Sequence, residues 1–312
     1  MMPTAVFWLA GAAVLFPQVS AGAALVLGIA VALSFGNPYP AESKAYSAKL
    51  LTWSVMCLGA GMNLLSVARV GAQGFGYTIV GISVTLSLGL LIGRLLKVER
   101  HVGLLVSVGT AICGGSAIAA AAAAIRAKSH QISVALATVF CLNAVALLIF
   151  PPLGHHFGLS ERAFGLWSAL AIHDTSSVVG SAMQYGPTAL EVATTVKLAR
   201  ALWIVPVTFA LGLFWPHADV SEGAAKAKKP WFILGFLLAA ALVTFVPELK
   251  PAGHYVALAG QRALVVTLFL IGAGLSRAAV KEVGWRPFAQ GVLLWLIVGT
   301  GTLSAIAAGW VH

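Results

Sequence analysis

Long apolar runs follow one another along almost the whole chain, joined by short polar stretches, and no segment between them is large or charged enough to form a soluble domain. This pattern restricts the fold more than any other feature. A bilayer's hydrocarbon core takes about 17–25 helical residues to cross, and backbone groups in lipid must bond within a helix or a closed barrel. At that length the runs fall at 4–18, 20–36, 47–65, 73–95, 102–125, 131–151, 163–184, 190–215, 230–247, 255–275 and 287–311. The expectation is an all-α polytopic membrane protein with about 11 transmembrane helices, the first short, in a single integral membrane domain over 1–312.

Composition agrees. The chain is 60% hydrophobic and 9% charged, against about 25% charged in soluble domains, so a water-facing coat cannot be assembled from it. The net charge of +10 is then explained by basic residues collecting in loops on one side of the membrane, and no nucleic-acid partner is implied. Cys57, Cys113 and Cys141 each lie within an apolar run and read as small buried hydrophobes. The opening MMPTAVFWLAGAAVLF lacks a basic stretch before its apolar core, which favours a first span over a cleaved signal. No HxxxH, GxSxG, P-loop or dinucleotide fingerprint occurs, and His155-His156 is a loop pair beside prolines. No metal, cofactor or catalytic group is expected, and the chain does not read as an enzyme.

Charge bias orients the spans. Loops after spans two, four, six, eight and ten hold 12 Lys and Arg: Lys44, Lys49, Arg94, Lys97, Arg100, Arg162, Lys226, Lys228, Lys229, Arg277, Lys281 and Arg286. The remaining loops hold 4, namely Arg69, Arg126, Lys128 and Lys250, while Lys197, Arg200 and Arg262 lie within spans. This puts the N-terminus in the cytoplasm and the C-terminus outside. It also argues that the seventh segment crosses, since one missed crossing would swap every later loop.

Two internal similarities stand out. An offset of 213 lays Lys49–Gly71 over Arg262–Gly284 with seven of 23 positions identical, including Gly59-Ala60-Gly61 over Gly272-Ala273-Gly274, where such a composition gives roughly two by chance. Spans three and ten are an odd number of crossings apart, as in inverted-topology repeats; close helix packing through the glycines is the other reading. The halves are set at about 20–151 and 163–311. An offset of 60 lays Ala111, Ile112 and Ser116 over Ala171, Ile172 and Ser176, so that Cys113-Gly114-Gly115 faces His173-Asp174-Thr175.

Those two stretches are also where chemistry concentrates. Asp174 is the one acidic residue deep inside an apolar run, and a charge there costs ~2.5–3.5 kcal/mol on insertion scales. Cys113, Gly114, Gly115 and Ser116 in one segment, and Thr175, Ser176 and Ser177 in the other, suit discontinuous core helices whose freed amides and hydroxyls hold a substrate at mid-depth. The alternatives are tight packing for the first and a loop for the second. Lys197 and Arg200 share one helical face and suit an anion, unless they snorkel or only pair with Asp174. His173 and Asp174 suit proton or ion coupling.

TAICGGSAIAAAAAAI at Thr110–Ile125, AIHDTSSVVGSA at Ala171–Ala182, VKLARALWIVPV at Val196–Val207 and GAGLSRAAVKEVGWRPF at Gly272–Phe288 resemble the sulfate exporter family of YeiH-like inner-membrane proteins, in order from about Lys49 to Trp295. The resemblance implies kinship with the cation/proton antiporter and anion transporter superfamily, inverted repeats, a core of crossed broken helices, and a panel that often forms a homodimer. The function expected is secondary transport, as an exporter, of a small anion such as sulfate, sulfite or an organosulfonate, coupled to a proton or ion gradient across the inner membrane. A cation/proton antiporter is the alternative, and an intramembrane enzyme or a channel the alternative of another class.

Overall fold

The structure, a computed structural model, describes residues 2–215, 231–275 and 284–311. Lys226, Lys228, Lys229, Arg277, Lys281 and the Val67/Val280 and Val70/Val283 matches therefore involve residues outside the described ones. Among the described residues the fold is all helix. The elements are α1 (Met2–Ala13), α2 (Ala21–Ser34), α3 (Pro40–Gly59), α4 (Leu64–Leu95), α5 (Arg100–Ala111), α6 (Gly115–Ala124) and α7 (Ser129–His156). They continue as α8 (Glu161–Ala171), α9 (Thr175–Tyr185), α10 (Pro187–Ala201), α11 (Ile204–Phe214), α12 (Trp231–Phe245), α13 (Lys250–Ala273) and α14 (Trp285–Ala307).

Local sequence sets many of these boundaries. Ser20, Asn63 and Ser160 accept from amides in the first turns of α2, α4 and α8, taking up donors that helix starts leave free. Pro40 and Pro187 open α3 and α10, where a missing N–H costs nothing. Lys97 and Arg126 adopt positive φ just past α4 and α6, the left-handed residue that commonly ends a helix. The loop between the runs 131–151 and 163–184 is shorter than expected, and His155-His156 is not a loop pair, because α7 carries Pro151 and Pro152 within it and runs on to His156.

Among the described residues, five helical stretches are long and apolar enough to cross a membrane, Phe75–Leu95, Ser129–His156, Pro187–Phe214, Pro247–Ala273 and Trp285–Ala307, and six if α3 and the start of α4, bent by 106°, count as one. The count falls below eleven partly because α1, α2 and α12 have only 12, 14 and 15 residues. The larger reason is that neither the fifth nor the seventh segment is one continuous helix: each breaks, at 112–114 and at 172–174.

Both fold back as hairpins. The end of α9 returns to the start of α8: Tyr185 Oη donates to Leu159 O at 2.6 Å, Thr188 N donates to Glu161 Oε2 at 2.7 Å, and the Phe164 and Tyr185 rings stack 3.8 Å apart. Meanwhile α10 runs beside α8 in the same direction, with Gly165 against Ala189 and Val192 near one end and Lys197 Nζ donating to Ile172 O near the other. In the α5–α6 pair, Ile118 lies against Gly109 across the tip, a reach that a continuous helix at 1.5 Å per residue forbids. At the base of that pair, Gln131 Nε2 donates to Glu99 Oε1 and His130 approaches Glu99 at 3.5 Å. So α7 leaves from the base of one hairpin and arrives at the base of the other, and the two enter from opposite ends.

The helices sort into two bundles. One contains α1, α2, α3, α12 and α13, fastened at glycines: Gly28 and Gly272 bring α2 and α13 together, Gly59 seats α3 on the backbone of Phe236, and Gly260 seats α13 on Ser54 and Cys57. A Cβ added at Gly28 would collide with Phe269 O, so the small residues set how closely the backbones approach. The other bundle contains α4 to α11 and α14, with Gln290 of α14 donating to Gly89 O and Gly103 O at 2.9 Å each. The bundles meet mainly where α9 packs on α2 and α13, and where α12 packs on α4.

Candidate functional site

The two hairpin tips touch at the centre of the second bundle. A Cβ at Gly114 would lie 3.2 Å from both Cα and Cβ of Asp174, and Gly114 itself sits at φ +67, in the left-handed region where glycine carries no steric penalty. The 60-residue offset carries one tip onto the other: α5 ends at Ala111 and α8 at Ala171, while α6 begins at Gly115 and α9 at Thr175.

Four half-helix ends meet at this point. Those of α5 and α8 present carbonyls, the partial negative end of the helix dipole, and here the two cations are used. Arg200 Nε donates to Ala111 O at 2.8 Å and a terminal nitrogen donates to Leu170 O at 2.7 Å, so one guanidinium ties both hairpins together. Lys197 Nζ donates to Ile172 O at 2.7 Å and Ala169 O at 3.3 Å. Lys197 and Arg200 are 0% and 1% exposed, which leaves no room for snorkelling, and neither forms an ion pair with Asp174.

The N-terminal ends differ from each other. No side chain caps α6, which follows Gly114, and its Ser116 is exposed. In α9 the cap is Asp174, half-buried, whose Oδ2 accepts from Ser176 N at 3.0 Å and from Ser176 Oγ. Thr175, Ser176, Ser177 and Cys113 are buried around it, and Gly115 lies against Phe140 of α7.

Sequence reasoning passed over Asn143, the residue that organises the second tip. From the middle of α7 its Oδ1 accepts from the amides of both His173 and Asp174 at 3.2 Å. The signal was available, since Asn143 is an amide side chain within an otherwise apolar span. Its Nδ2 is buried without a partner, as are both ring nitrogens of His173 and the hydroxyl of Thr110. Each such group costs about 1–3 kcal/mol, and the hydroxyls of Ser181 on α9 and of Thr194 and Thr195 on α10 are likewise buried without a partner. A cleft of about 680 Å³ lies elsewhere, between α2 and α7 with Gln184 and His155 on its wall.

With both cations charged, two positive charges face one carboxylate at Asp174. Two C-terminal and two N-terminal half-charges cancel, leaving about +1 at the crossing.

Such a fold and site define a polytopic helical membrane protein with a polar junction buried at its centre. The chain belongs to the family described as conserved hypothetical protein 698, whose profile matches residues 1–291. It is 65% identical to a UPF0324 membrane protein of Bdellovibrio bacteriovorus over 95% of this chain and 92% of that one. It is also 49% identical to a UPF0324 membrane protein of Geobacter sulfurreducens, covering 94% and 93%, and 46% identical to one of Bacteroides thetaiotaomicron, covering 91% and 85%. No solved structure matches the chain.

Proposed function

We propose that this protein is a secondary transporter of a small oxyanion, of the sulfate, sulfite or organosulfonate class, driven by a proton or ion gradient across the inner membrane. The observation that carries the reading is the meeting of two hairpin tips, Gly114 on Asp174, among buried polar groups that have no partner. Half-helix ends at mid-depth are how transporters hold ions where unbroken helices offer only side chains. With Lys197 and Arg200 both charged, the net positive charge of the junction favours an anion over a cation. The substrate would lie against the α6 and α9 N-termini and the hydroxyls of Ser116, Thr175, Ser176 and Ser177. Lys197 and Arg200 supply field while holding carbonyls, and His173 and Asp174 serve coupling. The resemblance to the sulfate exporter family is part of this reading, as is a homodimer formed through the first bundle.

The same reading gives nine crossing segments and two re-entrant hairpins, with the N-terminus in the cytoplasm. Placing both hairpins as re-entrant moves Arg126 and Lys128 to the cytoplasmic side and Arg162 off it, so the charge ratio rises from twelve-to-four to thirteen-to-three. The repeats then pair by two offsets. An offset of 213 relates α2, α3 and α4 to α12, α13 and α14, and an offset of 60 relates α5–α7 to α8–α11, each pair inverted because an odd number of crossings separates its members.

Uptake of labelled sulfate into proteoliposomes under an imposed pH gradient tests this. The wild type accumulates sulfate and Asp174→Asn loses the response to the gradient; gradient-independent leakage in both would remove the reading. The cation/proton antiporter is the second reading, favoured by an Asp174 carboxylate with no salt bridge to Lys197 or Arg200. Proton release on adding Na⁺, indifferent to anions, would select it.

A further inference from the structure

The first turn of α9 already holds an anion, and the anion is the chain's own. Asp174 Oδ2 takes the amide and the hydroxyl of Ser176, the donors that a free oxyanion at a helix start would take. Asn143 holds the backbone that leads into this turn. Its Oδ1 is engaged by the His173 and Asp174 amides, which fixes the amide plane, and its Nδ2 is left 3% exposed at the residue level and without an acceptor. One donor set is filled by a tethered carboxylate, and the side chain that holds the two amides just before it keeps a buried donor unfilled.

We propose that this turn is the seat of the transported oxyanion, occupied alternately by the Asp174 carboxylate and by a ligand oxygen, with Asn143 Nδ2 the donor that selects the ligand. This rests on the anion-transporter reading above. While Asp174 is ionised, its charge and the ligand's would share one pair of donors, and the ligand is excluded. When a proton from solvent settles on Oδ2, the carboxyl no longer needs those donors, and the Ser176 amide and hydroxyl pass to the oxyanion, joined by Asn143 Nδ2. Proton and anion therefore enter together, which makes the coupling an exchange of one acceptor for another. A cation gains nothing from Asn143 Nδ2, because that atom only donates.

The direction with pH follows. Binding requires the protonated carboxyl, so affinity rises as pH falls, by at most about tenfold per pH unit for one linked proton. The charged and titratable groups around Asp174 are Lys197 and Arg200 from α10, Cys113 from the α5–α6 tip, and His173 next to it. α7 contributes the non-titrating Asn143, and α2 and α13 meet α9 at Gly180 through Ala21 and Leu268.

The test uses the full chain in nanodiscs and measures binding of labelled sulfate, with methanesulfonate as competitor, from pH 5.5 to 8. Wild type is expected to bind more tightly at low pH and to take up about one proton per sulfate. Asp174→Asn keeps a good helix cap and is expected to bind with no pH slope, with Asp174→Ser as the second variant if the first unfolds. Asn143→Asp keeps the acceptor for both amides but loses the donor, and is expected to weaken binding more than tenfold at every pH. His173→Gln is expected to keep the slope. A slope that survives in Asp174→Asn, or vanishes in His173→Gln, or an Asn143→Asp that binds normally, overturns the exchange while leaving anion transport standing. Wild type that binds neither anion at any pH overturns both.

Discussion

At the scale of single residues, Arg200 is the most consequential side chain, because its rigid fork reaches a carbonyl on each hairpin, Ala111 O and Leu170 O. A lysine there keeps the charge and loses the fork. Arg200→Lys should lower stability by about 1.5–3 kcal/mol, the worth of a hydrogen bond to a charged group, and reduce sulfate flux at least tenfold. A thermal midpoint and flux equal to wild type would mean that charge alone matters at this position. Gly114 makes the opposite kind of demand, for the absence of a side chain. Its φ of +67 strains any residue with a side chain, and a methyl group there would stand 3.2 Å from Asp174, which would have to shift to make room. Gly114→Ala should cost about 1–3 kcal/mol in backbone strain, seen as a lowered unfolding midpoint in detergent.

At the scale of elements, hairpin and crossing helix make different predictions about sidedness. With α5–α6 folded back, positions 97 and 128 lie on one side of the membrane; a crossing would put them on opposite sides. In a background without Cys57, Cys113 and Cys141, Lys97→Cys and Lys128→Cys should label with a membrane-impermeant maleimide from the same face, and Phe157→Cys and Thr188→Cys from the other. Labelling of Lys97→Cys and Lys128→Cys from opposite faces would restore the crossing. The hairpins were hard to read from sequence for a definite reason. Each carries as many apolar residues as a true span, and the length criterion counts residues without seeing where they turn. The breaks themselves were legible: Cys113-Gly114-Gly115 and His173-Asp174-Thr175 sit at the tips, and the offset of 60 matched their helix boundaries.

On the scale of the whole molecule, the two bundles touch over a limited seam, and α9 is the part of the second bundle that rests on α2 and α13. Transport by this architecture implies that the hairpin bundle shifts against the other, since the junction lies inside one bundle and must open to each side in turn. Gly22 and Gln184 face each other across the seam, with Gln184 Oε1 3.0 Å from where a Gly22 Cβ would stand. Linking Gly22→Cys to Gln184→Cys with a short bifunctional maleimide should arrest flux while leaving sulfate binding intact. Undiminished flux after complete cross-linking would mean that the bundles do not move apart here.

Sequence alone determined the solvent, the helical class and the residues at the junction. Lipid forces backbone pairing within helices, and charge in lipid is expensive enough to make Asp174, Lys197 and Arg200 conspicuous. It did not determine the path of the chain through the bilayer. The charge alternation argues for a crossing at the seventh segment, yet two segments fold back, and two changes of parity cancel for every loop outside them. Nor did it determine what the cations touch or that Asn143 matters, because carbonyls at helix ends are available to any side chain that packing brings near. Only tertiary structure decided those points: a hairpin's return and a guanidinium's partners are fixed by contacts between Ala111, Leu170 and Arg200, which lie far apart along the chain and meet only when it is folded.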